Sequence, residues 1–176
     1  MKNITNDLSN EHQNILKFID VLLAECERLE TGHVIDPTFF EKALYFIKNY
    51  ADRFHHAKEE DILFKIMLEN QGGLHCNPIP VMLHEHETGR EYVKGLEEGV
   101  NECNKVKVLE NARMYGYLLQ DHIYKEDNIL YPMAEQALSD IQKAMILNMY
   151  KEVEESKFPK EIVEEYLTVL NIQATE

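Results

Sequence analysis

The stretch HHAKEEDILF at residues 55–64 and the stretch DHIYKEDNILY at residues 121–131 are two versions of one phrase. In each, a histidine is followed four residues later by a glutamate. The two pairs are His55 with Glu59 and His122 with Glu126. Four residues is about one helical turn, so each pair directs a nitrogen and a carboxylate from one face of a helix. Two such faces that meet in a helical bundle could hold two metal ions between them.

The composition narrows the range of partners. The chain has 176 residues, and 32 acidic and 18 basic side chains give a formal net charge of -14. Such a charge argues against a nucleic-acid-binding surface and against adhesion to anionic lipid. The first residues do not resemble a signal peptide, and no run approaches the roughly 20 apolar residues of a membrane span. We therefore expect a cytoplasmic protein whose partners are small molecules or proteins, with reduced cysteines at 26, 76 and 103.

The apolar pattern is helical throughout. Only seven glycines and five prolines occur, and apolar residues recur at steps of three and four. Four long helices are predicted at about residues 7–29, 37–69, 79–101 and 107–137, and two shorter ones at 141–153 and 162–170. Gly32 lies beyond the end of the first helix, Asp36 can cap the second with Pro37 at its first position, and the glycine pair at 72–73 ends it. Short connections favour antiparallel neighbours, so the prediction is an all-α, up-down-up-down four-helix bundle over residues 5–137. Residues 139–176 are predicted to form a C-terminal helical extension that packs on the bundle or at a subunit interface.

Six polar residues interrupt the inward apolar stripes of the four long helices. They are His12, His55, Glu59, His86, His122 and Glu126. A charged or imidazole group in a core costs several kcal/mol if it has no partner, and a metal centre would supply one. Four imidazoles and two carboxylates suit iron, manganese or zinc, and carboxylates can bridge two ions in a bundle core. A single buried histidine, or a single His-x-x-x-Glu pair, is more often structural; the combined pattern on four helices favours the metal centre.

Other histidines fall on different faces in this helical register. A step of 100° per residue places His56 on the row of Asp52 and Glu60, so it is predicted to face solvent or to lie behind the ligands. His84 is predicted to point outward for the same reason. The remaining two histidines, His33 and His75, lie in predicted loops.

Two glutamates and several tyrosines are candidates for supporting roles. Glu11 and Glu85 each precede a predicted histidine ligand. Either could accept a hydrogen bond from a ligand imidazole on a neighbouring helix, although exposed glutamates are the simpler interpretation. An inward tyrosine could donate to a bound oxygen species, and the tyrosines around the ligand turns are Tyr50, Tyr115, Tyr124 and Tyr131. Tyr115 lies on the inner stripe of its helix and is the preferred donor, with plain packing as the alternative.

These motifs resemble the hemerythrin-like (HHE cation-binding) family over about residues 5–137. The matching phrases are Glu-His at 11–12, HHAKEEDILF, MLHEHETGR at 82–90 and KEDNILYP at 125–132. The resemblance implies a hemerythrin-like bundle with a non-haem di-iron site. Oxygen-carrying hemerythrins add a fifth histidine one turn from the third-helix ligand, where this chain has Met82 and Arg90. That departure argues against reversible oxygen carriage.

The favoured function is therefore a cytosolic non-haem di-iron protein that binds or reacts with dioxygen, nitric oxide or peroxide in sensing or in the response to oxidative or nitrosative stress. The expected cofactors are two iron ions, with or without an oxo bridge, and manganese or zinc are the alternatives. Glu59 and Glu126 would bridge the ions. Whether the protein is an enzyme stays open: the alternatives are a redox-responsive signalling or binding module without turnover and a structural zinc or manganese bundle. No nucleic-acid or membrane partner is expected, and a homodimer or protein partner would use the C-terminal helices.

Overall fold

In a computed structural model, which describes residues 3–70 and 77–168, four long helices form an antiparallel bundle and two shorter helices pack against it. The long helices are α1 (Asn6–Glu30), α2 (residues 37–69), α3 (Ile79–Asn101) and α4 (residues 105–137). The shorter ones are α5 (Asp140–Lys157) and α6 (Lys160–Thr168). The described residues contain no strand, and the predicted all-α bundle with additional C-terminal helices is confirmed.

The ends of the first two helices are set by local chemistry. The Asp36 side chain accepts hydrogen bonds from the N–H groups of Thr38 (3.0 Å) and Phe39 (3.3 Å), and Pro37 follows the cap at the start of α2. Gly32, just beyond α1, has a φ of 105°, which a residue with a side chain rarely adopts. These were the predicted signals. The glycine pair predicted to end α2, residues 72–73, lies outside the described residues, as does the loop with His75 and Cys76.

Helices α2 and α4 are not α-helical throughout. α2 contains π-helical stretches at Ile47–His56 and Glu59–Leu63, and α4 contains one at Glu126–Leu130. A π-helix bonds residue i to residue i+5, so each turn holds about one extra residue. The two five-residue stretches begin at the two glutamates of the repeated phrase. The sequence repeat is therefore also a repeat of backbone geometry.

The core consists of two apolar clusters with a polar layer between them. The first contains Ile15, Phe18 and Leu22 of α1, and the second contains Ile4 and Leu8 at the start of the chain. His12 lies between Leu8 and Ile15 along α1. On each side of this layer, apolar side chains exclude water from whatever the layer holds.

The C-terminal helices complete both clusters. Ile146 and Tyr150 of α5 join the second cluster, and Tyr166 and Leu167 of α6 join the first. Both helices therefore pack on the bundle up to residue 168, and residues 169–176 are not described. Across the described ranges, no helix is both long enough and apolar enough to cross a bilayer.

Candidate metal centre

The structure brings all six predicted ligand residues together in the polar layer. Each is at most 1% exposed. Their side chains, with one addition, form two groups whose ligand atoms lie within 4.8 Å of one another. One group is His12, His55, Glu59 and Glu126, and the other is His56, Glu59, His86 and His122. Glu59 belongs to both.

The addition is His56, and the expectation that it faces solvent is wrong. Its side chain is buried, and its ring stacks on that of His86 with 3.8 Å between centroids. The cause is the π-helix at Ile47–His56: residues there advance by roughly 80° per step rather than 100°, so adjacent histidines can both point inward. A fifth histidine is thus present, but it comes from α2 and not from α3. His84, by contrast, is exposed.

The two carboxylates lie between the two groups. Glu126 Oε2 is 3.2 Å from Nε2 of both His12 and His122, one from each group. Glu59 Oε2 is 3.5 Å from Nε2 of His55 and 3.6 Å from Nε2 of His86, again one from each group. A carboxylate in this position can give one oxygen to each of two ions.

The second nitrogen of every one of these imidazoles faces a carboxylate. The Nδ1 distances are 2.9 Å from His55 to Glu11, 2.9 Å from His122 to Glu85, 2.7 Å from His86 to Glu60, 3.0 Å from His12 to Asp127 and 3.5 Å from His56 to Asp52. The first four are hydrogen bonds, whereas Nδ1 of His56 has no hydrogen-bond partner among the described residues. A carboxylate that accepts from a histidine fixes the orientation of the ring and leaves Nε2 free to bind a metal. Glu11 and Glu85 thus accept the hydrogen bonds for which they were candidates, and they do so on neighbouring helices.

Two lysines hold these supporting glutamates in equivalent ways. Lys58 donates to Glu11, and Lys125 donates to Glu85; each lysine lies three residues after a histidine ligand. Lys58 is fully buried, and its amine also donates to Glu154 of α5 at 3.0 Å. The halves of the bundle are therefore related by an approximate two-fold, with α5 covering one side.

Arg90 holds the carboxylates that lie behind His56 and His86. Its guanidinium donates to Asp52 and to Glu60 at 2.7 Å each. Those carboxylates face His56 and His86, so one cation sets the position of two imidazole partners. The equivalent position in the other half, four residues after His12, is Leu16, which cannot play this part.

A tyrosine contacts the ligands, but it is not the predicted one. Tyr131 donates a hydrogen bond to Glu59 Oε1 at 2.5 Å, and its oxygen is 3.2 Å from His12 Nε2. Burial, with the nearby charge of Glu59, raises the pKa of Tyr131 well above its usual value, so the phenol keeps its proton. Tyr115 is buried nearby in the wall of a cavity, described below. Tyr131 belongs to the repeated phrase, which was the signal that could have singled it out.

Unpartnered carboxylate oxygens show that this layer suits a metal. Glu59 Oε2 and both oxygens of Glu126 are buried and accept no hydrogen bond from the described residues. An oxygen in that situation costs about 1–3 kcal/mol, more when charged, unless another ligand takes its lone pairs. Buried imidazoles and carboxylates are the donors that iron, manganese and zinc accept. The residues present therefore fit two such ions.

Metal uptake is expected to tighten as the pH rises. In the metal-free protein, burial lowers the pKa of His12, but its hydrogen bond to Asp127 and the nearby carboxylate of Glu126 outweigh burial and raise the pKa to about 9. Burial likewise lowers the pKa of His122, but the nearby charge of Glu126 outweighs burial and raises the pKa to about 10. Both imidazoles hold protons at neutral pH, and a metal ion must displace them.

Displacing two protons strengthens apparent affinity by up to about 100-fold per pH unit below these pKa values. Competition titrations against a chelator, corrected for its own protonation, should show this trend from about pH 6 to about pH 8. Affinity that does not vary with pH in this window would contradict the assignment of these protons.

Comparison with known proteins agrees with the geometry. The iron-sulfur cluster repair proteins YtfE of Pectobacterium carotovorum subsp. carotovorum (strain PC1) and Pectobacterium atrosepticum are each 32% identical over 133 residues, which is 71% of this chain and 60% of theirs. That of Edwardsiella ictaluri is 27% identical over 138 residues, 74% of this chain and 61% of its own. This chain therefore spans about three fifths of the length of these relatives. A comparison with solved structures gave no match.

A family model covers the whole of the centre. The model for the hemerythrin HHE cation binding domain matches residues 3–134, three quarters of the chain and every side chain of the two ligand groups. The resemblance inferred from the repeated phrases is confirmed. The chain belongs to the hemerythrin HHE cation-binding domain family.

Proposed function

We propose that this protein is a non-haem di-iron protein that binds or reacts with a small ligand, dioxygen, nitric oxide or peroxide, in oxidative or nitrosative stress. The observation that carries the proposal is the pair of overlapping ligand groups, which share Glu59 and are buried between two apolar clusters. His12 and His55 would bind one ion, and His56, His86 and His122 the other. Glu59 and Glu126 would bridge them.

Iron bound there would supply a Lewis acid and a redox-active centre. The chain itself supplies the setting. Carboxylates that accept hydrogen bonds from His12, His55, His86 and His122 would keep each Nε2 pointed at its ion, and the apolar clusters would keep bulk water away. The hydroxyl of Tyr131 keeps its proton and donates it in a hydrogen bond to Glu59. A ligand bound beside Glu59 could accept that hydrogen bond in its place.

The relatives support a role in stress. Proteins named for iron-sulfur cluster repair share about a third of the residues over the matched region. Because this chain covers only part of their length, the proposal for it is limited to the metal centre and small-ligand chemistry.

Residues 5–137 would form the metal-binding unit. Residues 139–176 would form an extension that covers the Lys58 side, where a homodimer or a protein partner could also bind.

The proposed function predicts that iron-loaded, reduced protein binds nitric oxide or dioxygen in proportion to the centres present. Anaerobic protein should be titrated with each gas, and with peroxide, while the optical spectrum is recorded. About one equivalent of ligand per di-iron centre should saturate the change, because at least one coordination position remains after the protein donors are counted. Metal-free protein is the control and should show no change.

Two outcomes would contradict this function. Iron-loaded protein that responds to none of the three ligands would favour a structural centre. Zinc as the metal recovered at native expression levels, with no redox change, would favour the zinc bundle.

A further inference from the structure

A cavity of about 200 Å³ reaches the candidate centre from one side. It lies between α2, α3 and α4, and it touches two ligand imidazoles, those of His56 and His86. Both belong to the same ligand group. A larger cleft of about 750 Å³ between the C-terminal helices and the bundle contacts none of the seven ligand residues. The 200 Å³ cavity is therefore the approach to consider.

The wall of this cavity is apolar and its mouth is charged. Gly89, Val93, Tyr115 and Leu119 line the interior, and all four are buried. At the mouth, Lys48 donates to Glu97 at 2.7 Å, and both side chains are 45% exposed. An ion pair this exposed is weak and can open readily. The interior offers mainly apolar contact, and its polar groups include the two imidazoles and the paired side chains of Asp52 and Arg90.

The volume limits what can enter. A water molecule occupies about 30 Å³ of liquid, and sites for larger organic ligands are about 300–1,000 Å³. A cavity of about 200 Å³ admits a molecule of a few heavy atoms and excludes anything of cofactor size. Its apolar wall favours an uncharged molecule over an anion, because an anion would lose its hydration there. The guanidinium of Arg90, which also lines the cavity, is already paired with Asp52 and Glu60.

The approximate two-fold pairs two residues on the cavity side of the centre with isoleucines on the opposite side. Gly89 is three residues after His86, and the residue three after His12 is Ile15, which is 1% exposed. His56 is one residue after His55, and the residue one after His122 is Ile123, also buried. On the cavity side, α3 has Gly89 and α2 has His56. At the equivalent positions on the opposite side, α1 and α4 each have an isoleucine. These two differences make the centre asymmetric.

We infer that this cavity is the entry path and holding site for a small uncharged ligand, of the diatomic class, on its way to the ion bound by His56, His86 and His122. The inference rests on the proposed function and makes it more specific. The ligand would arrive at the three-histidine ion, and Gly89 would determine whether the path is open.

Position 89 allows a clean test because it tolerates a side chain. A Cβ there would lie 3.8 Å from the nearest atoms of Leu118 and Tyr115, which is ordinary van der Waals contact. Alanine also favours the helix more than glycine does. Gly89→Ala should fold normally and narrow the cavity. Gly89→Ile should fill the cavity with the same side chain that Ile15 places at the equivalent position of α1. Glu91→Ile, an exposed position in the same helix, is the matched control.

The first readout needs no metal. Xenon enters dry cavities of about 150 Å³, so crystals of the metal-free protein under xenon pressure should show xenon beside His56 and His86. Gly89→Ala should reduce its occupancy, Gly89→Ile should abolish it, and Glu91→Ile should leave it unchanged. Absence of xenon from the unaltered protein would overturn the holding site.

The second readout is the rate at which nitric oxide binds to the reduced, iron-loaded protein. Gly89→Ile should slow association by about tenfold or more while iron content and the resting spectrum stay unchanged. An unchanged rate in a variant that excludes xenon would overturn the entry path and leave the di-iron function intact. Failure of the unaltered protein to bind nitric oxide at all would instead contradict the proposed function, while the xenon result would still report on the cavity.

Discussion

Replacing Glu59 with alanine is expected to remove both metal ions. Glu59 is fully buried and belongs to both ligand groups. Its Oε1 accepts the hydrogen bond of Tyr131, and its Oε2 lies between His55 and His86 without a donor among the described residues. Glu126, the other carboxylate of the two ligand groups, cannot replace this oxygen, because it lies between His12 and His122.

The expected metal content of Glu59→Ala is below one ion per chain, against two in the unaltered protein, as measured by elemental analysis. The variant should still fold as a helical bundle, since the two apolar clusters are untouched. Thermal unfolding followed by circular dichroism should show the same melting curve with and without added iron. In the unaltered protein, iron held at 1,000 times its dissociation constant should add about 4 kcal/mol per ion.

The matched control is Asp61→Ala. Asp61 is two residues away in the same π-helical stretch, is 67% exposed and, within residues 3–70 and 77–168, pairs with the exposed Lys65 alone. It should keep its full metal content. A Glu59→Ala protein that retains both ions would mean that Glu59 does not bridge them.

Replacing His56 with isoleucine is expected to weaken one ion site and spare the other. Isoleucine is the residue that the other half of the bundle carries at this place, Ile123, so the substitution makes the halves more alike. His56 lies in the group of His86 and His122, and its removal leaves that ion with two imidazoles. Loss of a supporting residue behind a ligand already costs 10–100-fold in metal affinity, so loss of a ligand should cost at least about 100-fold.

Chelator competition measures this effect. The His56→Ile protein should release one ion per chain at a chelator concentration that leaves the unaltered protein loaded, and should hold the second. His84→Ala serves as the control, because His84 lies two residues from the ligand candidate His86 but is exposed. Equal retention of both ions by His56→Ile would show that the six residues predicted from sequence are sufficient.

The case of His56 shows where prediction from sequence stops. The apolar steps of three and four residues were enough to predict four helices, their caps and the inward position of the six ligand candidates. They assumed a constant 100° per residue. The π-helix at Ile47–His56 changes that step, and propensity alone does not reveal it, because a π-helix depends on what the bundle core requires of the turn. The error was one of register and not of chemistry.

Supporting residues were harder to predict than ligands. Glu11 and Glu85 could be suggested because each adjoins a histidine of a repeated pattern. Lys58 and Arg90 could not, since a lysine or arginine in a helix is normally a solvated surface residue. Their roles depend on which helices become neighbours: Lys58 meets Glu154 from a helix more than 80 residues further on, and Arg90 meets two carboxylates of α2.

The central claim is that two iron ions share one buried centre, and the iron stoichiometry with the Mössbauer spectrum of protein grown on enriched iron tests it most directly. We predict two iron ions per chain, magnetically coupled and resolved as two inequivalent sites, because one group offers three imidazoles and the other two. A single iron per chain, or two iron ions without magnetic coupling, would contradict this account.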